Sequence, residues 1–132
     1  FKLGGEGQPV AHEIRNSIAI GNHLDGFTDN FNPGKLVVVN NVAVDNQRFN
    51  FIFRPSPYGD ASTQGVFTDN LSLRTTPGKY DDAVVGNIDA SNIFIADGKS
   101  VNSNEYLSLD LPQPLERNAD GSFKTGDFLT KN

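Results

Sequence analysis

The stretch Ile14–Asn22 (IRNSIAIGN) recurs 24 residues on as Val38–Asn46 (VVNNVAVDN), with apolar, small and Asn positions matched and no gap. A period in the twenties with matched apolar positions is the mark of a solenoid in which each repeat is one coil. The apolar residues alternate, Ile18 with Ile20 and Val42 with Val44. That is the period of a strand, not of a helix, and β-branched residues suit a pleated, buried surface. The repeat therefore predicts an all-β solenoid of at least three coils. Asn16 would lie beside Asn40 and Ile18 beside Val42, at the ~4.8 Å spacing of neighbouring strands.

A solenoid explains the composition. Only 36% of the 132 residues are hydrophobic, which is enough where each coil buries a narrow inner stack. Thirteen Gly and fifteen Asn supply turns and left-handed backbone positions. With no cysteine there is no disulfide frame and no thiolate metal site. A net charge of −5 argues against a nucleic-acid partner. No apolar run approaches the ~20 residues of a membrane span. The chain opens at Phe1 without Met or a signal peptide, and reads as a processed or excised piece.

Along the chain, Phe1–Gly5 reads as a short strand breaking into a Gly turn, with Phe1 and Leu3 inward and Lys2 outward. Phe27 precedes Phe51 by 24 and follows Phe1 by 26, so the three rings are placed as a stack inside successive coils. Residues 54–64 and 75–86 read as excursions from the coil. Between them Val66–Leu73 resumes the pattern, with Asn70 standing 29 after Asn41. Residues 88–96 and 106–111 alternate without repeating. The polar end after Pro112 reads as a cap over the last coil, which a solenoid needs to hide its open edge.

Stacked Asn side chains can bond one another along the axis and satisfy turn backbone. Asn16 over Asn40, and Asn41 over Asn70, are therefore read as structural columns. Ile18, Val42, Leu71, Ile20, Val44 and Leu73 are read as core. His12 and His23 lack the partners of a nucleophilic triad. Asp29–Asn32 has Phe31 where a calcium loop needs an oxygen ligand. Gly4–Gly7 is too short for a phosphate loop, and Asn70-Leu71-Ser72 is a chance glycosylation match inside a core coil.

Phe1-Lys2-Leu3-Gly4-Gly5, then Asn16-Ser17-Ile18-Ala19, then Gly26-Phe27-Thr28 with Asn30 and Asn32-Pro33-Gly34, resembles the family 9 polysaccharide lyases. The runs Tyr106–Asp110, Glu116–Ser122 and Asp127–Leu129 look like the end of the same catalytic domain, so the resemblance spans essentially residues 1–132. It implies a right-handed parallel β-helix with a C-terminal cap, and a pectate lyase-like enzyme that is secreted to the extracellular or periplasmic space. The lysine of the family's opening motif is the base that removes the sugar C5 proton, and here that residue is Lys2. The family holds calcium with aspartates in coils before this lysine, including an Asp-Asp-Gly-x-x-Asp run. No such run is present, and Asp81-Asp82 is followed by Ala83-Val84. The resemblance thus implies the C-terminal coils of a catalytic domain. The calcium ligands, and the coils that would be a partner to this chain, lie in an N-terminal part outside it.

β-Elimination on a uronate polymer needs a base for the proton α to a carboxylate and positive charge to steady the enolate-like transition state. Lysine serves as base where desolvation or neighbouring cations lower its pKa. With alternating strands, Thr28 and Asn30 would point outward near Lys2, and Arg54 outward one coil further. Arg54 is placed as a grip on the substrate carboxylate, and Lys35 and Arg48 rank lower. The other function class is a non-catalytic β-solenoid that binds a carbohydrate or caps an assembly. An Asp-Asp-Gly-x-x-Asp run a few coils upstream of Phe1 separates the two.

Overall fold

A computed structural model describes residues 1–55, 65–75, 80–96 and 103–132. The chain divides into two compact units, Phe1–Val101 and Asn102–Asn132.

The first unit is a parallel β-helix. Its coils each cross three sheets in turn. One sheet takes β1 (Glu13–Arg15), β4 (Leu36–Val39), β7 (Gly65–Thr68) and β10 (Asn87–Ile88). The second takes β2 (Ile18–Ile20), β5 (Val42–Val44) and β8 (Leu71–Leu73), and the third takes β3 (Phe27–Thr28), β6 (Phe51–Phe53) and β9 (Ala83–Val84). Every named pair is parallel. Ile18 stands beside Val42 and Val42 beside Leu71, and Phe27 stands beside Phe51, in the 24- and 29-residue registers read from the sequence.

Amide ladders run along the axis. Asn40 Nδ2 donates to Asn16 Oδ1 at 2.8 Å. Inside the coils, Asn41 Nδ2 donates to Asn70 Oδ1 at 3.1 Å and Asn70 Nδ2 to Asn92 Oδ1 at 2.8 Å. Each of the two acceptor oxygens also takes the backbone N–H of the Asn one coil back. A third set of amides joins Asn22 to Asn46, 24 residues on, and Asn46 to Asn50, four residues on. Buried amides need such partners, since an unmet polar group costs about 1–3 kcal/mol. Asn70 is therefore committed to structure, and its match to a glycosylation acceptor is a coincidence of letters.

Three expectations are corrected. On the second sheet the residues that join the core cluster are Ala19 and Ala43, with Ser72 in the same column and also buried, while Ile18, Val42, Leu71 and Ile20 are only half-buried. The interior there is narrow because Phe27, Phe51, Phe53 and Phe67 fill it from the other two sheets; Val44 and Leu73 are buried as expected. Next, the repeat continues past the third coil. Asn87 pairs with Val66 and Ile93 bridges Leu71, with Asn92 only 22 residues after Asn70. Last, the excursion at 75–86 carries β9, whose Ala83 pairs with Ile52. Residues 56–64 and 76–79 of the two excursions lie outside the described residues.

The second unit holds a 3-10 turn at Ser103–Glu105 and three isolated bridges, Tyr106 to Lys131, Ser108 to Phe128 and Arg117 to Phe123. Phe128 is buried, and the Arg117 guanidinium covers the Phe123 ring at 4.0 Å.

Candidate functional site

Lys2 continues the third sheet beyond β3. Thr28 N donates to Phe1 O at 3.0 Å and Leu3 N to Thr28 O at 2.9 Å, which fixes Lys2 in a parallel bridge to Thr28. Leu3 is buried, so strand alternation turns Lys2 outward, where it is exposed. Phe1 stacks on Phe27 with ring centres 5.0 Å apart, and Phe27 on Phe51 at the same distance. The column is the one read from the sequence, with Phe1 52% exposed. Gly4 ends the strand at φ 122°, and a Cβ there would meet the Asn32 side chain at 2.6 Å. Only glycine lets the chain turn away from Lys2 at this point.

Lys2 lines a cleft of about 330 Å³ with Thr28, Asn30, Phe31, Arg48 and Arg54. All four residues expected to act together are therefore gathered on one surface. Thr28, expected to point outward, is buried; its hydroxyl accepts the Asn30 N–H at 3.0 Å. Asn30 holds the Gly4 carbonyl through its side-chain amide at 2.6 Å. Arg54 donates to Asp29 Oδ1 from Nη2 at 2.5 Å and from Nε at 3.2 Å, while its backbone N–H donates to Asp29 Oδ2 at 2.9 Å. Its guanidinium also lies 4.0 Å over the centre of the Phe31 ring. Ranked low from the sequence, Arg48 is part of the cleft and forms a two-pronged pair with Asp25, Nε to Oδ1 at 2.8 Å and Nη2 to Oδ2 at 2.5 Å. Burial pushes the Asp25 carboxyl up. The hydrogen bonds from Arg48 and from the Phe49 N–H, with the charges of Arg48 and Arg54, outweigh it and hold the group below the usual carboxylate range.

Asp25, Asp29 and Phe31 were not singled out from the sequence as site residues. A signal existed for the acids: Asp25 precedes Arg48 by 23 and Asp29 precedes Arg54 by 25, close to one coil. Opposite charges one period apart face each other on neighbouring strands.

Calcium seeks six to eight oxygen ligands, several of them carboxylates. Among the described residues no group of three or more His, Cys, Asp or Glu is placed to hold a metal. Asp25, which lines the cleft, and Asp29 beside it are each committed to an arginine. The residues here do not fit a calcium site. Lys2, Arg48 and Arg54 set three cations against these two acids, a positive excess of one that suits a carboxylate-bearing ligand.

No family model matches the chain. A pectate disaccharide-lyase of Dickeya chrysanthemi is 75% identical over 95 residues, covering 72% of this chain and 13% of that protein. A pectate lyase L of Paenibacillus polymyxa is 36% identical over 135 residues, covering 98% of this chain and 28% of that protein. The crystal structure of pectate lyase Pel9A aligns with a TM-score of 0.72 and 29% identity, over 100% of this chain and 31% of that one. The chain thus spans less than a third of the length of each of these relatives.

Proposed function

The chain is pectate lyase-like in sequence and in fold, and from that premise we propose that it forms the C-terminal coils of a secreted polysaccharide lyase acting on pectate or a related uronate polymer. The observation that carries the reading is the position of Lys2, outward on its strand and in one cleft with Arg48 and Arg54. The Lys2 amine takes the proton from C5 of the uronate. The electron pair released forms the C4–C5 double bond and expels the glycosidic oxygen on C4, which takes a proton from water. Arg54 is held in place by Asp29 and keeps guanidinium N–H groups beyond the two given to Asp29 for the substrate carboxylate. Thr28 and Asn30 shape the floor beside Lys2 by fixing the turn and the Gly4 carbonyl. Calcium dependence belongs to this proposal, with ligands in preceding coils of the same domain.

The test is an assay for unsaturated uronate absorbance on polygalacturonate, run on the full-length polypeptide and on the 132-residue chain, with added calcium and with a chelator. Activity in the full-length protein that the chelator removes, and none in the chain alone, is the expected result. A full-length protein that binds the polymer without cleaving it overturns the lyase reading and leaves a carbohydrate-binding solenoid. If cleavage occurs, product size shows whether disaccharides are released, as the name of the Dickeya relative describes for that protein.

A further inference from the structure

We propose that Phe31 is a sugar-stacking residue. One ring of the uronate polymer lies on its exposed surface while the carboxylate of a neighbouring sugar reaches Arg54, a role that rests on the reading of the cleft above. Phe31 is 60% exposed at the edge of the cleft that holds Lys2 and Arg54. The hydrophobic core does not call for an aromatic ring there. The residue is not part of the core cluster, and its backbone sits at φ 64°, directly after Asn30 at φ 47°. A bulky side chain in this left-handed region is uncommon, and Asn or Gly occupies it more easily. The conformation is enforced from outside. Phe31 N donates to Asp29 Oδ1 at 3.3 Å, Gly7 N donates to Phe31 O at 3.0 Å, and Asn32 N donates to Asp29 O at 3.0 Å. A strained, well-held aromatic at the rim of a charged cleft is a feature from which function can be inferred.

The geometry selects the ligand. The Arg54 guanidinium covers one face of the ring at 4.0 Å and is itself pinned by Asp29. Phe31 is 60% exposed, so ring surface not covered by Arg54 is left for a ligand. Ring faces carry negative potential and attract the C–H hydrogens of a pyranose, and a flat apolar surface beside a few fixed polar groups is how small-molecule sites orient a ligand. A uronate polymer combines the two chemistries, an apolar C–H face on one sugar and a carboxylate on the next.

The test compares Phe31→Asn, Phe31→Leu and Phe31→Tyr in the full-length protein. KM for polygalacturonate and binding of a trigalacturonate probe by calorimetry are both measured. Asn fits the left-handed backbone, so that variant keeps the fold. Phe31→Asn and Phe31→Leu should each weaken probe binding and raise KM by roughly three- to tenfold, the worth of one aromatic stacking contact, with kcat changing less. Phe31→Tyr should restore both values. Equal probe binding by the parent and Phe31→Asn overturns the proposal. If the parent cleaves nothing, the lyase reading fails, and probe binding alone then decides on Phe31. A parent that binds no probe overturns both.

Discussion

Arg54 Nη2 lies 2.5 Å from Asp29 Oδ1, joining an arginine that ends the third strand of the second coil to an acid 25 residues earlier in the first. Asp29 is almost fully buried, whereas the Arg54 side chain is 34% exposed. The acid also takes the backbone N–H groups of Phe31 and Arg54. Removing it leaves these donors and a cation without their partner. Asp29→Ala should therefore destabilise the protein by ~2–3 kcal/mol, below the ~3–5 kcal/mol of a fully buried pair because water screens the arginine. Urea midpoints of Asp29→Ala, Arg54→Ala and the double variant check this. A double variant as costly as the sum of the two singles would mean that the pair is not coupled.

The Asn ladders give a second expectation. Asn70 Oδ1 accepts from both the backbone and the side chain of Asn41, and Asn70 Nδ2 donates to Val38 O and Asn92 Oδ1. Asn70→Ala orphans several buried groups at once, each worth ~1–3 kcal/mol, so a loss of ~3 kcal/mol or more is expected by chemical denaturation. Asn16, at φ 51°, sits in an exposed ladder. Asn16→Gly keeps that backbone conformation and should cost less than ~1 kcal/mol.

Much of this architecture was legible because a coil repeats its own letters. Ile18 and Val42, Phe27 and Phe51, Asn16 and Asn40 are paired by a constant offset, and the structure pairs them so. On the second sheet hydrophobicity alone marks Ile18, Ile20, Val42 and Leu71 as core, yet these four are only half-buried while Val44 and Leu73 are buried. Ala19 and Ala43 go inside for want of room, and that depends on Phe53 and Phe67 from other sheets. The continuation through Asn92 was hidden by a shorter offset. At the site, Lys2 carried a motif and could be named from it. Phe31 could not, since its exposure follows from a turn enforced by Asp29 and Gly7, and no local pattern announces it.

Two acids should move stability in opposite directions with pH. Asp25 has a lowered pKa, so its contribution is present above the ordinary value of 3.8 and is lost as pH falls through its own lower value. Asp82 has a raised pKa, chiefly from burial, against hydrogen bonds from Ser72 and from the Ile95 and Phe51 N–H groups and the charge of Arg74. Its contribution is present below 3.8 and is lost as pH rises through its raised value. Asp25→Asn should flatten the acid limb of a stability profile measured from about pH 2.5 to 7. Asp82→Asn should lower the whole curve, because one of the N–H groups loses its acceptor, yet remove the decline on the less acidic side. A profile for Asp82→Asn parallel to the parent's would mean that Asp82 ionises as freely folded as unfolded.

Lys2 gives the sharpest expectation. Its side chain leaves the strand outward, while its neighbours Phe1 and Leu3 carry the packing, Phe1 on Phe27 and Leu3 in the core cluster. The bridge to Thr28 uses backbone atoms alone. Lys2→Ala and Lys2→Met should therefore fold with an unchanged circular dichroism spectrum and a urea midpoint near the parent's. If the amine is the base that takes the C5 proton, both variants in the full-length enzyme should lose ~10²–10⁴ in kcat. KM should shift far less, because proton transfer is felt in the transition state and scarcely in the bound substrate. Arg54→Ala should show the reverse split, with KM raised and kcat less affected, since a guanidinium that grips a carboxylate holds ground and transition states alike. Arg54→Lys should recover little, as an ammonium cannot reproduce the fork that Asp29 orients. A folded Lys2→Ala enzyme turning over at the parent rate would remove the amine from the chemistry and return Lys2 to the solvated surface charge that its exposure alone would suggest.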